Sequence, residues 1–257
     1  MGDKQKNDNV LRTKILIEIN EDFHQGDKLN FALDSSDILA ELVSCFEEEN
    51  ETIRELASRA MIKVAGSYDG RQFLIEEEIV PKIRMLFNDK VVKIRANAYN
   101  SIINIAEFTY GIDQVINYNI IPVLVDKLVE ETENTILILI LELMKILNEG
   151  EVAPMVIHNT EVLSRLNKHL RSTDFKIREL AAANLGSISF NMSGKGLTIE
   201  AGSIPPLCEM LTDKVSQVRT AATRALASLA QYKDGKVQIY DLDKLNEIIN
   251  LLYDKSD

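Results

Sequence analysis

Ile53-Arg54-Glu55-Leu56-Ala57, Ile94-Arg95-Ala96-Asn97-Ala98, Ile177-Arg178-Glu179-Leu180-Ala181 and Val218-Arg219-Thr220-Ala221-Ala222 are four versions of one phrase. Each has an aliphatic residue, then an arginine, then an alanine three positions on. The steps between them are 41, 83 and 41 residues. The double step divides at Ile136-Leu137 with Ile140, a copy that has lost its arginine. A fixed period in the range of about 20 to 50 residues signals stacked supersecondary units, because one unit has no means of burying its apolar face alone.

Two other classes of landmark keep the same beat. Gly70, Gly111, Gly194 and Gly235 follow the phrase at a constant offset, with Ala153 in the drifted copy. Apolar-proline pairs precede it at Val80-Pro81, Ile121-Pro122 and Ile204-Pro205, where other copies have Leu163-Ser164 and Leu39-Ala40. Within one period, Ile53, Ala57, Ala60, Met61 and Val64 recur at helical spacing and form one apolar stripe. Alanine at the tightest positions lets neighbouring helices approach, and Gly70 is expected to supply the left-handed residue or tight turn that ends the helix. A short apolar pair follows (Leu74-Ile75, Val115-Ile116, Ile239-Tyr240), and proline then opens a second helix, where its missing N–H costs little. Each unit is therefore expected to hold one short and two longer helices. Leu11-Arg12 with Phe31 resembles half a unit, and Leu245 to Leu252 a lone second helix. These ends are expected to be caps, or places where a partner continues the stack. Glu48, Asp89 and Asp213 stand six positions before Arg54, Arg95 and Arg219, and these pairs read as structural rungs between turn and helix rather than as an anion site.

The bulk properties are those of an ordinary globular chain. Of 257 residues, 46% are apolar and 27% charged. Lys plus Arg number 29 against 40 Asp plus Glu, a formal charge of −11 that repels nucleic acid and anionic membrane surfaces. Cys45 and Cys208 lie far apart and outside any CxxC or Cys/His cluster, which argues against a disulfide framework or structural zinc. Met1 to Asn9 is polar, and the longest apolar run, Ile136 to Leu141, is too short to span a bilayer. The expectation is a soluble intracellular protein, one domain over 1–257, with residues 1–9 a disordered tail.

The period, the Ile-Pro-x-Leu opening of the second helix, and Arg224-Ala225-Leu226-Ala227-Ser228-Leu229-Ala230 resemble the armadillo repeat. The acid and arginine six apart are similar to those of HEAT repeats. The resemblance implies an all-α fold, a right-handed α-solenoid of armadillo/HEAT-like repeats. A narrower likeness covers Leu166 to Leu170, Asn184 to Ser189, Arg71 to Leu74 and Leu86 to Asp89, which look like the armadillo-repeat radial spoke head proteins. It implies a structural subunit of the axonemal radial spoke in cilia or flagella, with other spoke proteins as partners and no small-molecule substrate.

Armadillo proteins that carry nuclear cargo line the concave groove with a Trp and Asn ladder on the third helix. Here the Trp slot holds Arg59, Asn100, Glu142, Ala183 and Arg224, and the Asn slot holds Lys63, Asn104, Ile146, Ser187 and Ser228. The chain has no Trp, and only Asn104 matches, so binding of nuclear-localisation peptides is not implied. Thr135 to Leu141 is apolar on every face of a helix, so Ile138, Leu139 and Ile146 would point away from the core and form a docking patch, unless the segment is an extra-buried helix or a short strand. His24, His158 and His169 show no ligand spacing, and neither metal nor cofactor is expected. Gly194-Lys195-Gly196 lacks the frame of a phosphate loop and reads as a turn. No catalytic grouping stands out. The function expected is a protein-binding scaffold in the axoneme; a soluble peptide-binding adaptor in transport or trafficking is the alternative, and an enzyme ranks last.

Overall fold

The computed structural model describes residues 2–148 and 160–251, and every regular element among them is helical. Cα proximity separates two compact units, residues 1–120 and 121–257.

In the first unit, α1 (Gly2–Asp22) is followed by α2 (Gly26–Asp34), α3 (Ser36–Ser44), α4 (Glu51–Gly66), α5 (Tyr68–Glu76), α6 (Val80–Met85), α7 (Val92–Ala106) and α8 (Thr109–Asn117). The backbone of residues 2–9, expected to be a tail, thus belongs to α1. The second unit takes nearly all of α9 (Ile120–Glu130), then α10 (Asn134–Asn148), α11 (Thr160–His169), α12 (Phe175–Ile188), α13 (Met192–Glu200), α14 (Ile204–Glu209), α15 (Ser216–Leu229), α16 (Lys233–Asp241) and α17 (Leu245–Leu251). Thr135 to Leu141 therefore lies in a helix, not a strand. Ala153 and His158 lie outside the described residues.

The recurring phrase opens the third helix of each layer. Within the first unit α1 packs on α4 and α4 on α7; within the second, α10 packs on α12 and α12 on α15. Ile53, Ile94, Ile136, Ile177 and Val218 are all buried, as are Ala57, Ala98, Ile140, Ala181 and Ala222 four positions on. Leu39, Leu42, Met61, Leu74, Ile83 and Phe87 complete the core of the first unit, where the Phe87 and Tyr99 rings stack 3.9 Å apart.

Two of the second helices are shorter than expected, while α9 has 11 residues and α11 has 10. α6 and α14 have six residues each and tighten into the 3₁₀ turns Leu86–Asn88 and Met210–Thr212. Proline stands in their first turn, as the sequence suggests.

The repeated glycines play a different part from the one expected. Gly70, Gly111, Gly194 and Gly235 do not end the third helix in a left-handed turn; each sits inside the first turn of the helix that follows it. There the backbone crosses the end of the third helix so closely that a Cβ on Gly70 would stand 2.0 Å from the Val64 carbonyl oxygen. At Gly111 and Gly194 the corresponding separation is 1.9 Å from Ile105 and Ile188. Gly194-Lys195-Gly196 is accordingly helical, not a turn, and the Asn191 side chain accepts from Gly194 N–H at 2.7 Å. The left-handed residues come one helix later, at Glu78 (φ 51°), Asn119 (φ 56°), Gly202 (φ 73°) and Asp243 (φ 52°), on the same beat.

The rungs also differ from the sequence reading. The acid six positions before an arginine meets it through its main-chain carbonyl: Arg54 donates to Glu48 O at 2.8 Å, Arg95 to Asp89 O at 2.9 Å and Arg219 to Asp213 O at 2.8 Å. The carboxylate turns instead to the arginine of the preceding layer. Arg54 Nε donates to Asp89 Oδ2 at 2.7 Å, Arg178 Nε to Asp213 Oδ2 at 2.8 Å, and Arg12 pairs with Glu48. Asp89 and Asp213 also brace the turn that leads into their own third helices by accepting from Val91 and Val215 N–H. Burial alone would raise both carboxyls, but the arginine and backbone donors outweigh it and hold them below the usual range.

Candidate functional site

The third-helix face carries the ladder slots, and the two units use it differently. In the first unit three of its four polar slot side chains are committed to the neighbouring layer. Arg59 Nε donates to Asn20 Oδ1 at 3.2 Å, Lys63 Nζ to Asn20 O at 2.6 Å, and Lys63 also meets the His24 ring. Asn104 Nδ2 donates to Ile62 O at 3.1 Å, and Asn100 Nδ2 to Ala96 O at 2.9 Å within its own helix. Asn20 itself donates to Leu56 O at 2.9 Å. Asn104, the one residue matching the armadillo ladder, thus spends an amide hydrogen on the stack.

In the second unit the same face opens into a trough of about 550 Å³. Ala183, Ser187, Arg224 and Ser228, four slot residues, line it together with Lys145, Glu179 and Phe190. Gly186 forms part of its floor, and a Cβ there would lie 3.4 Å from Ala225 Cα, so α12 and α15 approach closely beneath the trough. Ser228 Oγ donates to Ser189 O at 2.6 Å, which ties the two helices across that floor. Arg224 is exposed and makes no hydrogen bond or ion pair among the described residues. The Phe190 side chain is 85% exposed. A free guanidinium, a bare aromatic ring and short hydroxyls on a shallow floor suit a polypeptide segment better than a small molecule, which demands enclosure.

Glu142 and Ile146 lie on α10 outside this lining. Glu142 stands 3.9 Å from Lys176 Nζ, which pairs more closely with Glu179 at 3.2 Å. Ile138, Leu139 and Ile146 are half-buried on α10, while Ile136, Leu137, Ile140 and Leu141 are fully buried. Sequence reasoning missed Phe190, Lys145 and Gly186. Phe190 carried a signal, since it stands where other copies have Glu107 and Gln231, one or two residues past the third helix.

Among the described residues no group of three or more His, Cys, Asp and Glu side chains is placed to hold a metal ion, and no helix is long and apolar enough to cross a membrane. Cys45 and Cys208 are buried thiols; burial pushes Cys208 up to about 11 and raises Cys45 as well, so both are poor nucleophiles near neutral pH. Burial likewise lowers the pKa of His169 and favours its neutral form.

The profile of the HEAT repeat family matches residues 204–233, which span α14, α15 and the turn before α16. Solved structures resemble much more of the chain. An engineered protein, 24% identical, covers 85% of this chain and 92% of its own with a TM-score of 0.77. A designed armadillo repeat protein, 22% identical, covers 84% and 92% with a TM-score of 0.73. A designed armadillo repeat protein in complex with the peptide (KR)4 is 21% identical and covers 89% and 95% with a TM-score of 0.74. At such identities the likeness is one of fold, and the fold is that of the armadillo/HEAT-type α-solenoid.

Proposed function

We propose that this armadillo/HEAT-type chain is a scaffold whose third-helix face, in the second unit, holds a segment of another protein. The observation that carries the reading is the trough between α12 and α15, where Phe190 and Arg224 stand uncommitted while the equivalent polar residues of the first unit are bonded to their neighbours. Exposed aromatic and arginine side chains are the types most enriched at the energetic centres of protein interfaces. The acidic balance of the whole chain favours partners with basic surfaces at long range.

The cellular setting we propose is the axonemal radial spoke. The support is the sequence likeness over Arg71 to Asp89 and Leu166 to Ser189. A soluble transport or trafficking adaptor is the second reading, favoured by the likeness of fold to a designed protein in complex with (KR)4. Affinity capture from ciliated cells with tagged wild-type chain and an Arg224→Glu/Phe190→Ala variant, followed by mass spectrometry, separates the two. Recovery of spoke subunits by the wild type and their loss with the variant supports the first reading. Recovery of cargo or soluble transport factors overturns it, and equal recovery by wild type and variant overturns the trough as the binding site.

A further inference from the structure

The first unit holds two cations whose hydrogen bonds to the neighbouring layer leave their charge uncancelled. Arg59 and Lys63 stand one turn apart on α4, a spacing at which like charges repel. Arg59 Nε donates to Asn20 Oδ1, while Lys63 Nζ donates to Asn20 O and meets His24 Nε2. None of these partners carries a negative charge. Glu55 Oε1 lies 3.9 Å from Arg59 Nη1, at the limit of an ion pair, and no carboxylate pairs with Lys63 among the described residues. Glu21, beside Asn20 on α1, is exposed and pairs with neither cation. On the other flank α7 has Asn100 and Asn104 in the same slots, and Ala96 where α4 has Glu55.

The pair is held in place from beneath. Asn20 is 5% exposed, and both of its amide hydrogens are taken, by Leu16 O at 2.8 Å and Leu56 O at 2.9 Å. Its Oδ1 therefore has a fixed direction and anchors Arg59 through Nε alone. A guanidinium has five N–H donors and an ammonium three, so Arg59 keeps four and Lys63 one that no acceptor uses among the described residues. The Arg59 side chain is 45% exposed, open to a ligand. Burial, and after it the charge of Arg59, hold the Lys63 pKa below its ordinary value, the direction expected of an ammonium without a counter-ion.

We infer that Arg59 and Lys63 form an anion-binding site on the third-helix face of the first unit, and that its occupant is an acidic segment of another protein. One carboxylate takes the fork of the Arg59 terminal nitrogens, a bidentate geometry, and a second takes the remaining Lys63 hydrogen. Charge complementarity selects this occupant: two cations one helical turn apart match neighbouring aspartates or glutamates. The formal charge of −11 opposes such a segment at long range, so close contact at this site is what favours it. The site is independent of the trough in the second unit.

The test is fluorescence anisotropy of a rhodamine-labelled oligo-glutamate of about eight residues, titrated with the full 257-residue chain at about 0.15 M salt, where charges more than about 8 Å apart are screened. Saturable binding is expected. Arg59→Gln/Lys63→Gln removes both charges while keeping amide donors for Asn20, and should weaken binding about tenfold or more, because charge-assisted hydrogen bonds are roughly twice as strong as neutral ones. Lys90→Gln/Lys93→Gln, at exposed lysines of the same unit, removes the same charge and should change binding less than about twofold. Circular dichroism checks the fold of each variant. If the first double variant unfolds, Arg59→Gln and Lys63→Gln are read singly, each with an expected loss of about threefold or more. A wild type that does not bind the peptide overturns the inference, as do equal losses from the two lysine and arginine pairs or single variants that bind as the wild type does.

Discussion

The joint between α4 and α7 and the joint between α10 and α12 solve one packing problem by different chemistry. In the first, a guanidinium crosses from Arg54 to Asp89, both side chains less than 10% exposed. In the second, the arginine slot holds Leu137 and the acid slot, 35 residues on, holds Ser172. Both partners of the rung are gone together. Losing one alone would bury an uncompensated charge, whereas losing both replaces an ion pair with a buried leucine and a small hydroxyl. The layer-to-layer polar link that remains is an amide one further along the helix, where Asn184 Nδ2 donates to Leu141 O at 2.9 Å and Asn148 Nδ2 donates to Asn184 Oδ1 at 2.9 Å. The joint of α12 and α15 returns to the ionic form through Arg178 and Asp213. The drifted copy is thus a coherent alternative rung, and its continuous apolar run follows from the loss of the charge.

The largest expected effect breaks an ionic rung from one side. Asp213→Ala should destabilise by about 3 to 5 kcal/mol in chemical denaturation because it strands Arg178, whereas Ser172→Ala at the equivalent place in the apolar joint should cost less than about 1 kcal/mol. Leu137→Arg should be comparably harmful, about 3 kcal/mol, and adding Ser172→Asp should recover more than about 1 kcal/mol by supplying the missing partner. Asn184→Ala, which removes the amide link of the drifted joint, should cost about 1 to 3 kcal/mol, with most of the loss from the buried Asn148 amide left without its acceptor. Glu78→Gly should stabilise by about 1 kcal/mol, since a left-handed backbone there disfavours any side chain.

Acid sharpens the same comparison. Asp89 and Asp213 have folded-state values below the usual carboxylate range, so their contribution is fully present above about pH 4 and is lost as pH falls through the depressed values. Hydrogen exchange read over a falling pH series should show protection at the α4/α7 and α12/α15 joints lost before that at α10/α12. Simultaneous loss at all three would contradict a distinct chemistry for the drifted copy.

Much of this was legible in the sequence because it depends on period alone. The third helices, the prolines that open the second helices and the two end layers all follow from spacing. What spacing could not reveal is which atoms meet. The acid six residues before an arginine is near it in the chain, yet its carboxylate serves the arginine of the preceding layer, a partner that only stacking brings close. The glycines kept the beat for a reason invisible in one dimension, a close crossing of two helices, and the true left-handed positions hid beneath glutamate, asparagine and aspartate. Among the slot residues, spacing found Ala183, Ser187, Arg224 and Ser228 together but not Phe190, whose exposure depends on where α12 ends.

The most direct test of the stacked-layer account is a double-mutant cycle on Arg178→Ala and Asp213→Ala, measured by chemical denaturation of the full chain. Residues 35 apart that form a rung should show a coupling energy of about 2 kcal/mol. Additive losses, with coupling below about 0.5 kcal/mol, would mean that the 41-residue beat does not encode a bond from one layer to the next.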